Sequence, residues 1–220
     1  MSCCSHCRDA ENFFSNNKAR KELKRYRKKG PEKSTTMLID AIRSADLDLE
    51  QAALFDVGSG IGEIQLELFK EGLRCATNVD ASRPYIETAR EEIARQGWGD
   101  RSGFHFGDVV EIAPSLDAAD IVTLNRVICC YPYPDKLIPA TTDKAKAWYG
   151  VVYPRKRWIT RIGKWVANKW FSLKGDEFRI YLHDPDSIEN LIAKQGFSRH
   201  YAGTTFLWHI HLYRRDNEDN

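Results

Sequence analysis

Apolar positions along the chain change their spacing several times, and each change marks an expected element. Between residues 35 and 45, Met37, Leu38, Ala41 and Ile42 share one helical face. From residue 52, short apolar runs alternate with helical periodicity. Strands are expected at 52–57, 75–79, 104–106, 120–124 and 148–153. Helices are expected at 61–71, 84–96 and 135–147, with Pro84 suited to a first turn. Strand–helix alternation builds a mostly parallel sheet covered on both faces. Toward the end, 155–171 return to helical spacing, and 186–195 form a helix closed by Gly196. Residues 204–213 alternate as a closing antiparallel strand or hairpin would. At the other end, a basic helical stretch stops at Gly30-Pro31. The expected division is a Cys-rich start and helical lid over 1–34, one α/β domain over 35–215, and an acidic tail over 216–220.

Composition narrows the class. With 42% hydrophobic and 29% charged residues, the chain of 220 residues is no disordered polymer. No apolar run approaches the roughly 18 residues of a membrane span. Met1 to Phe14 lacks the apolar centre of a secretory leader, so the cytoplasm is the expected compartment. The net charge of +2 is unevenly spread, because residues 18–33 hold nine Lys/Arg against Glu22 and Glu32. Such a stretch can contact nucleic-acid phosphates or form a solvated lid helix; the lid is the favoured expectation.

The chain's chemistry starts at Asp56-Val57-Gly58-Ser59-Gly60-Ile61-Gly62, between an expected strand and helix. Glycines let the backbone turn sharply and approach a ligand, and a helix start offers unpaired N–H groups. Asp80 ends the next strand, and Asp108 ends the one after. An acid about 20 residues beyond such a loop pairs with ribose hydroxyls in dinucleotide folds. A nicotinamide dinucleotide would need the G-x-G-x-x-G spacing and a helix start clear of negative charge. Here the spacing is G-x-G-x-G, and Glu63 would repel a pyrophosphate. S-adenosylmethionine carries no phosphate and tolerates Glu63.

The run Asp56 to Gly62, Asp80, Gly107-Asp108 and Ala119-Asp120-Ile121-Val122 resembles the successive motifs of class I S-adenosylmethionine-dependent methyltransferases. The resemblance implies a Rossmann-like, seven-stranded sheet ending in an antiparallel hairpin, with S-adenosylmethionine as cofactor. It implies that Asp56, Gly58, Ser59, Gly60 and Gly62 wrap the methionine and ribose parts. Asp80 with Ala81 would take the ribose, Asp108 with Val109 the adenine, and Asn125 would border the sulfonium.

In the second half, Arg126 to Pro132 and the later Tyr181-Leu182-His183 resemble magnesium-protoporphyrin O-methyltransferases in order and spacing. The expected partner is therefore a small-molecule methyl acceptor, flat or acidic, methylated at oxygen. His183, Tyr131 and Cys130 are the candidate acid–base groups; Cys130 stands where those enzymes place a His. Nucleic acid is a less expected partner, because no appended RNA-binding motif is visible. No base-methylation signature stands at the fourth strand either. Other open alternatives are a thiol or metalloid methyltransferase and a protein that holds the cofactor without turnover.

Cys3-Cys4-Ser5-His6-Cys7 does not have a zinc spacing, so no metal ligand is assigned. It could still share a metal with Cys129-Cys130; buried free thiols are the plainer expectation. Residues 155–174 carry seven basic residues and no acid. Trp158, Ile162, Trp165 and Val166 share one face of this expected inserted helix, with Arg157, Arg161 and Lys164 opposite. It could lie on a membrane surface, but packing over the sheet edge as a roof for the substrate pocket is preferred.

Overall fold

A computed structural model describes residues 9–11, 13–173, 175 and 177–216. Two helices come first, α1 (Asn16–Lys29) and α2 (Lys33–Arg43). Then β1 (Ala53–Val57), α3 (Glu63–Phe69), β2 (Cys75–Asp80), α4 (Arg83–Arg95), β3 (Ser102–Phe106), α5 (Val109–Ile112) and β4 (Ala119–Asn125) alternate. The chain continues through α6 (Pro134–Thr142), β5 (Ala145–Pro154), α7 (Trp158–Leu173) and α8 (Pro185–Ala193) to the hairpin β6 (Phe197–Thr204) and β7 (Trp208–Arg215). The seven strands lie in the order β3-β2-β1-β4-β5-β7-β6, parallel except for β7. The expected sheet and its closing hairpin are both present.

Side-chain alternation on the central strands feeds two cores. Leu54 of β1 points to one face, where α1, α2, α3 and α4 bring Leu23, Leu38, Leu66 and Ile93. Phe55 points to the other, where α6 and α8 bring Leu137, Ile138, Ile188 and Ile192. Because both faces are covered, β1 reads as a continuous apolar run. The expected lid α1 contributes Ala19, Leu23 and Tyr26 to the same core as the sheet.

Two boundaries differ from expectation. The helix expected to run to residue 147 stops at Thr142, and Ala145 already pairs with Ala119 of β4. Local Ala and Lys residues favour a helix, but pairing and burial of Ala145 outweigh that preference. Arg215 fixes the switch by donating to the Thr142 and Ala145 carbonyls at 2.9 and 2.7 Å. The first hairpin arm, β6, shows almost no apolar alternation because it is the sheet edge; only Phe197 is buried along it.

Candidate active site

The strand order reverses between β1 and β4, so the loops leaving their carboxyl ends diverge and open a crevice. That crevice is a cavity of about 750 Å³. Gly58 lies in the left-handed region at φ 59°, and a Cβ there would stand 2.4 Å from Val127 Cγ2. Both the turn and the close approach therefore demand glycine. The loop is tied to β2, with the Gly58 N–H donating to Val79 O at 2.7 Å. The Asp80 carboxylate accepts from Gly60 N at 2.9 Å and Ser82 N at 2.8 Å.

Nine of the ten expected cofactor residues line this one cavity: Asp56, Gly58, Ser59, Gly60, Asp80, Ala81, Asp108, Val109 and Asn125. Gly62 is not among its lining residues. Its absent Cβ would face Ile93 Cδ1 at 3.2 Å, so it lets α3 pack closely on α4 rather than wrapping a ligand.

The wall is strained electrostatically. Burial raises the Asp56 and Glu63 carboxyls to about 7 and Asp80 to about 6, and their negative neighbours add to the shift. Thr123 donates to Asp56 at 2.6 Å, and Arg25 reaches Glu63. Ser59 Oγ, Glu63 Oε2 and Asn125 Oδ1 are buried without a hydrogen-bond partner among the described residues. Unpaired buried polar atoms are costly. Three on the wall of one cavity fit a ligand carrying an ammonium group and hydroxyls, as S-adenosylmethionine does.

Of the three candidate acid–base groups, Tyr131 and Cys130 line the cavity and His183 does not. The Tyr131 hydroxyl donates to both Asp108 oxygens at 3.0 Å, so it holds the carboxylate on the expected adenine side. His183 is not a lining residue. Its Nε2 bonds the Tyr131 carbonyl at 2.9 Å, which makes it a brace behind the loop. Cys130 lines the cavity, but its Sγ lies 3.8 Å from Cys129 Sγ. The shared hydrogen bond and burial push the Cys130 thiol up and keep it protonated.

Several lining residues escaped the sequence. Phe13, Phe14, Phe178, Ile180 and Trp208 form an aromatic and aliphatic side, and Lys18, Lys21, Glu22 and Arg25 of α1 lie over the loop. Phe13 and Phe178 stack at 4.3 Å across 165 residues of chain, a pairing with no local signal. Arg126, at φ 65°, turns the chain after β4 and bonds Glu32 at 2.6 Å. The basic stretch turns part of its charge inward. Arg25 takes Glu63, and Arg27 takes Glu92, whose carboxyl Arg95 and Arg27 together hold at about 2.

The preferred packing of α7 is not what the structure has. Phe171 is its buried residue, in contact with Phe13 and Phe178, while the Trp158–Val166 face is exposed. The roof is Phe13, Phe14 and Phe178, and α7 only backs it. Cys3, Cys4, His6 and Cys7 lie outside the described residues, as does the tail from 217. Among the described residues there is no cluster of three or more His, Cys, Asp or Glu able to hold a metal. No described helix is long and apolar enough to cross a membrane.

Residues 55–142 match the family described as "Methyltransferase domain". No curated protein matches the chain. Among solved structures, magnesium protoporphyrin IX methyltransferase from Synechocystis, with bound S-adenosylhomocysteine, is 18% identical. The match covers 96% of this chain and all of that one, at a TM-score of 0.73. Geranyl diphosphate C-methyltransferase from Streptomyces coelicolor is 9% identical over 97% of this chain and all of that one, with a TM-score of 0.71. A putative RNA methyltransferase from Pyrococcus horikoshii is 14% identical over 87% and 86%, with a TM-score of 0.60. The fold is shared across these differently named methyltransferases, and residues 55–142 are similar to the methyltransferase-domain family.

Proposed function

We propose that this class I S-adenosylmethionine-dependent methyltransferase methylates a small molecule at oxygen, and that the acceptor is a flat acid offering a carboxylate, such as a porphyrin-like one. The observation that carries this is the state of the three groups expected to take a proton. Tyr131 is committed to Asp108, His183 stands behind the loop, and the Cys130 thiol is held protonated. A hydroxyl or amine acceptor needs such a group. Of the other ionisable groups on the wall, Asp56 and Glu63 face the methionine part in this reading, and the Cys129 thiol is bonded to the Arg126 carbonyl. A carboxylate is already ionised near neutral pH and needs none.

The rest of the cavity agrees. Phe13, Phe14, Phe178 and Trp208 suit a planar apolar body, and Lys18 and Lys21 suit its negative charge. The Synechocystis enzyme is named for a tetrapyrrole substrate.

When bound, S-adenosylmethionine supplies a methyl group on a sulfonium sulfur, which is already a good leaving group. The chain's residues then have to bind, orient and exclude water. Asp80 would accept the ribose hydroxyls, and Asp108, steadied by Tyr131, would hold the adenine beside Val109. Asp56, Ser59 and Glu63 would face the methionine part, and Asn125 would border the sulfonium. The aromatic roof would lay the acceptor against that end and keep water away.

The test uses methyl-labelled S-adenosylmethionine in a cell extract, split into small-molecule, RNA and protein pools. Label should enter the small-molecule pool and be released by mild alkali, as from a methyl ester. Alkali-stable label would move the acceptor to an ether or amine, and label in RNA would overturn the small-molecule assignment. His183→Gln should keep turnover within about threefold, a factor worth under about 1 kcal/mol in barrier.

A further inference from the structure

An amphipathic helix in a globular protein normally hides its apolar stripe, and α7 does the reverse. Trp158, Ile162, Trp165, Val166, Trp170 and Leu173 are 72, 53, 63, 52, 51 and 79% exposed. At 100° per residue they span an arc of about 140°, interrupted by Lys169, whose ammonium lies over the Trp165 ring at 5.0 Å. The inner side is short: Phe171 enters the roof, and Asn168 exchanges two hydrogen bonds with Ile180, both at 2.9 Å. The exposed arc is therefore no product of a loose helix, because the opposite side is bonded in place.

Charge says what covers it. Along one flank of α7 runs an open groove walled by Lys156, Arg161, Lys164, Lys169 and Arg179. Among the described residues, no carboxylate pairs with Arg161, Lys164 or Lys169. The β6–β7 turn extends the same surface with Phe206 and Leu207, 60 and 43% exposed, and Arg157 lies over the Phe206 ring at 4.9 Å. Three tryptophans on this arc, with Arg161 at its border and Lys169 within it, each on a long stem that carries its charge outward, match the apolar and charged layers of an anionic bilayer surface. A protein partner would be expected to meet such cations with carboxylates at fixed positions, whereas lipid headgroups supply negative charge wherever it is needed.

We propose that α7, with the Phe206-Leu207 turn, is a membrane-docking element that lies in the plane of an anionic bilayer, apolar arc inserted and basic flank on the headgroups. At 16 residues it lies on the surface rather than spanning. Phe171 on its inner side touches Phe178, which lines the cavity, so docking sets the cavity wall about one helix diameter, roughly 10 Å, from the lipid. The acceptor would then be drawn from the membrane. That last step rests on the small-molecule reading above, whereas the docking does not.

The experiment is flotation of the full chain with vesicles of phosphatidylcholine alone or with 30 mol% phosphatidylglycerol, the latter with and without about 0.5 M salt, where screening is within a few ångströms. Binding is expected with the anionic vesicles only, with a blue shift of tryptophan emission and at least a tenfold loss in high salt. Ile162→Glu/Val166→Glu, both exposed, should keep the fold by circular dichroism and lose binding tenfold or more. Arg161→Gln/Lys169→Gln should weaken it severalfold. No binding to anionic vesicles, or binding unchanged in Ile162→Glu/Val166→Glu, would overturn the proposal. A concentration-dependent dimer abolished by the same double variant, with no vesicle binding, would give the face to a second copy instead. Methyl transfer to a water-soluble acid is read separately and need not change in either variant.

Discussion

Helices α1 and α7 carry the same kind of pattern, an apolar stripe beside a dense run of cations, and the fold uses them in opposite ways. In α1 the stripe is Ala19, Leu23 and Tyr26, all buried in the core it shares with α3 and α4, and Arg25 and Arg27 reach carboxylates beneath them. In α7 the stripe faces outward, and among the described residues no carboxylate pairs with Arg161, Lys164 or Lys169. Periodicity says that a helix has an apolar face. Whether that face is covered depends on what the rest of the chain puts opposite it. For α1 these are Glu63, Glu67 and Glu92 on α3 and α4; Tyr26 donates to Glu67 at 2.7 Å.

The largest effect should come from breaking the buried half of this comparison. Leu23→Ala in α1 removes packing from the shared core and should cost about 2–4 kcal/mol in urea unfolding. A value below about 1 kcal/mol would mean that α1 is a loose lid. Next is the wall that α1 closes over. Asp80→Ala should weaken S-adenosylmethionine binding by about 1.5–3 kcal/mol in titration calorimetry, as expected for lost hydrogen bonds to a charged acceptor.

The same carboxylate sets a pH dependence. Burial raises Asp80 to about 6, and ribose hydroxyls bind its ionised form. Cofactor affinity should therefore be flat above about pH 7 and fall as pH drops through 6. The unliganded fold has the opposite sign. A carboxyl raised on folding stabilises most below its unfolded value near 4, and that contribution is lost as pH rises through about 6. Affinity independent of pH from 5 to 8 would remove Asp80 as the ribose acceptor.

Smaller still, Tyr131→Phe frees Asp108 from one hydroxyl and should cost about 0.5–1.5 kcal/mol of cofactor binding. Turnover at saturating cofactor should change little, which separates a positioning group from an acid–base one. The smallest effect falls on the exposed half of the comparison. Trp165→Ser in α7 should alter urea stability by less than about 0.5 kcal/mol, as surface changes do. A loss comparable to that of Leu23→Ala would show that its face is covered after all.

The cofactor side was legible in the sequence because its chemistry is local. Asp56 to Gly62, Asp80 and Asp108 each sit where a strand ends, and the parallel sheet brings strand ends together on one edge. Gly62 was the exception: its signal was the same as that of Gly58, and only the neighbouring Ile93 separates a packing glycine from a ligand-facing one. The acceptor side was read less well. His183 and Tyr131 carry recognisable chemistry, yet their partners are a backbone carbonyl 52 residues away and a carboxylate 23 residues away. The roof pairs Phe13 and Phe14 with Phe178, and no spacing rule connects them.

By itself, then, the sequence determined the alternating architecture, the switch-point loop and the acids around it. These follow from hydrophobic period and from glycine's freedom at positive φ, both properties of a few consecutive residues. Tertiary structure alone decided which face of α7 meets solvent, that the helix after β4 yields to β5 at Ala145, and which protein groups Tyr131, His183 and Cys130 are bonded to. Each of those depends on contacts between distant segments, where burial and pairing energies override local preference.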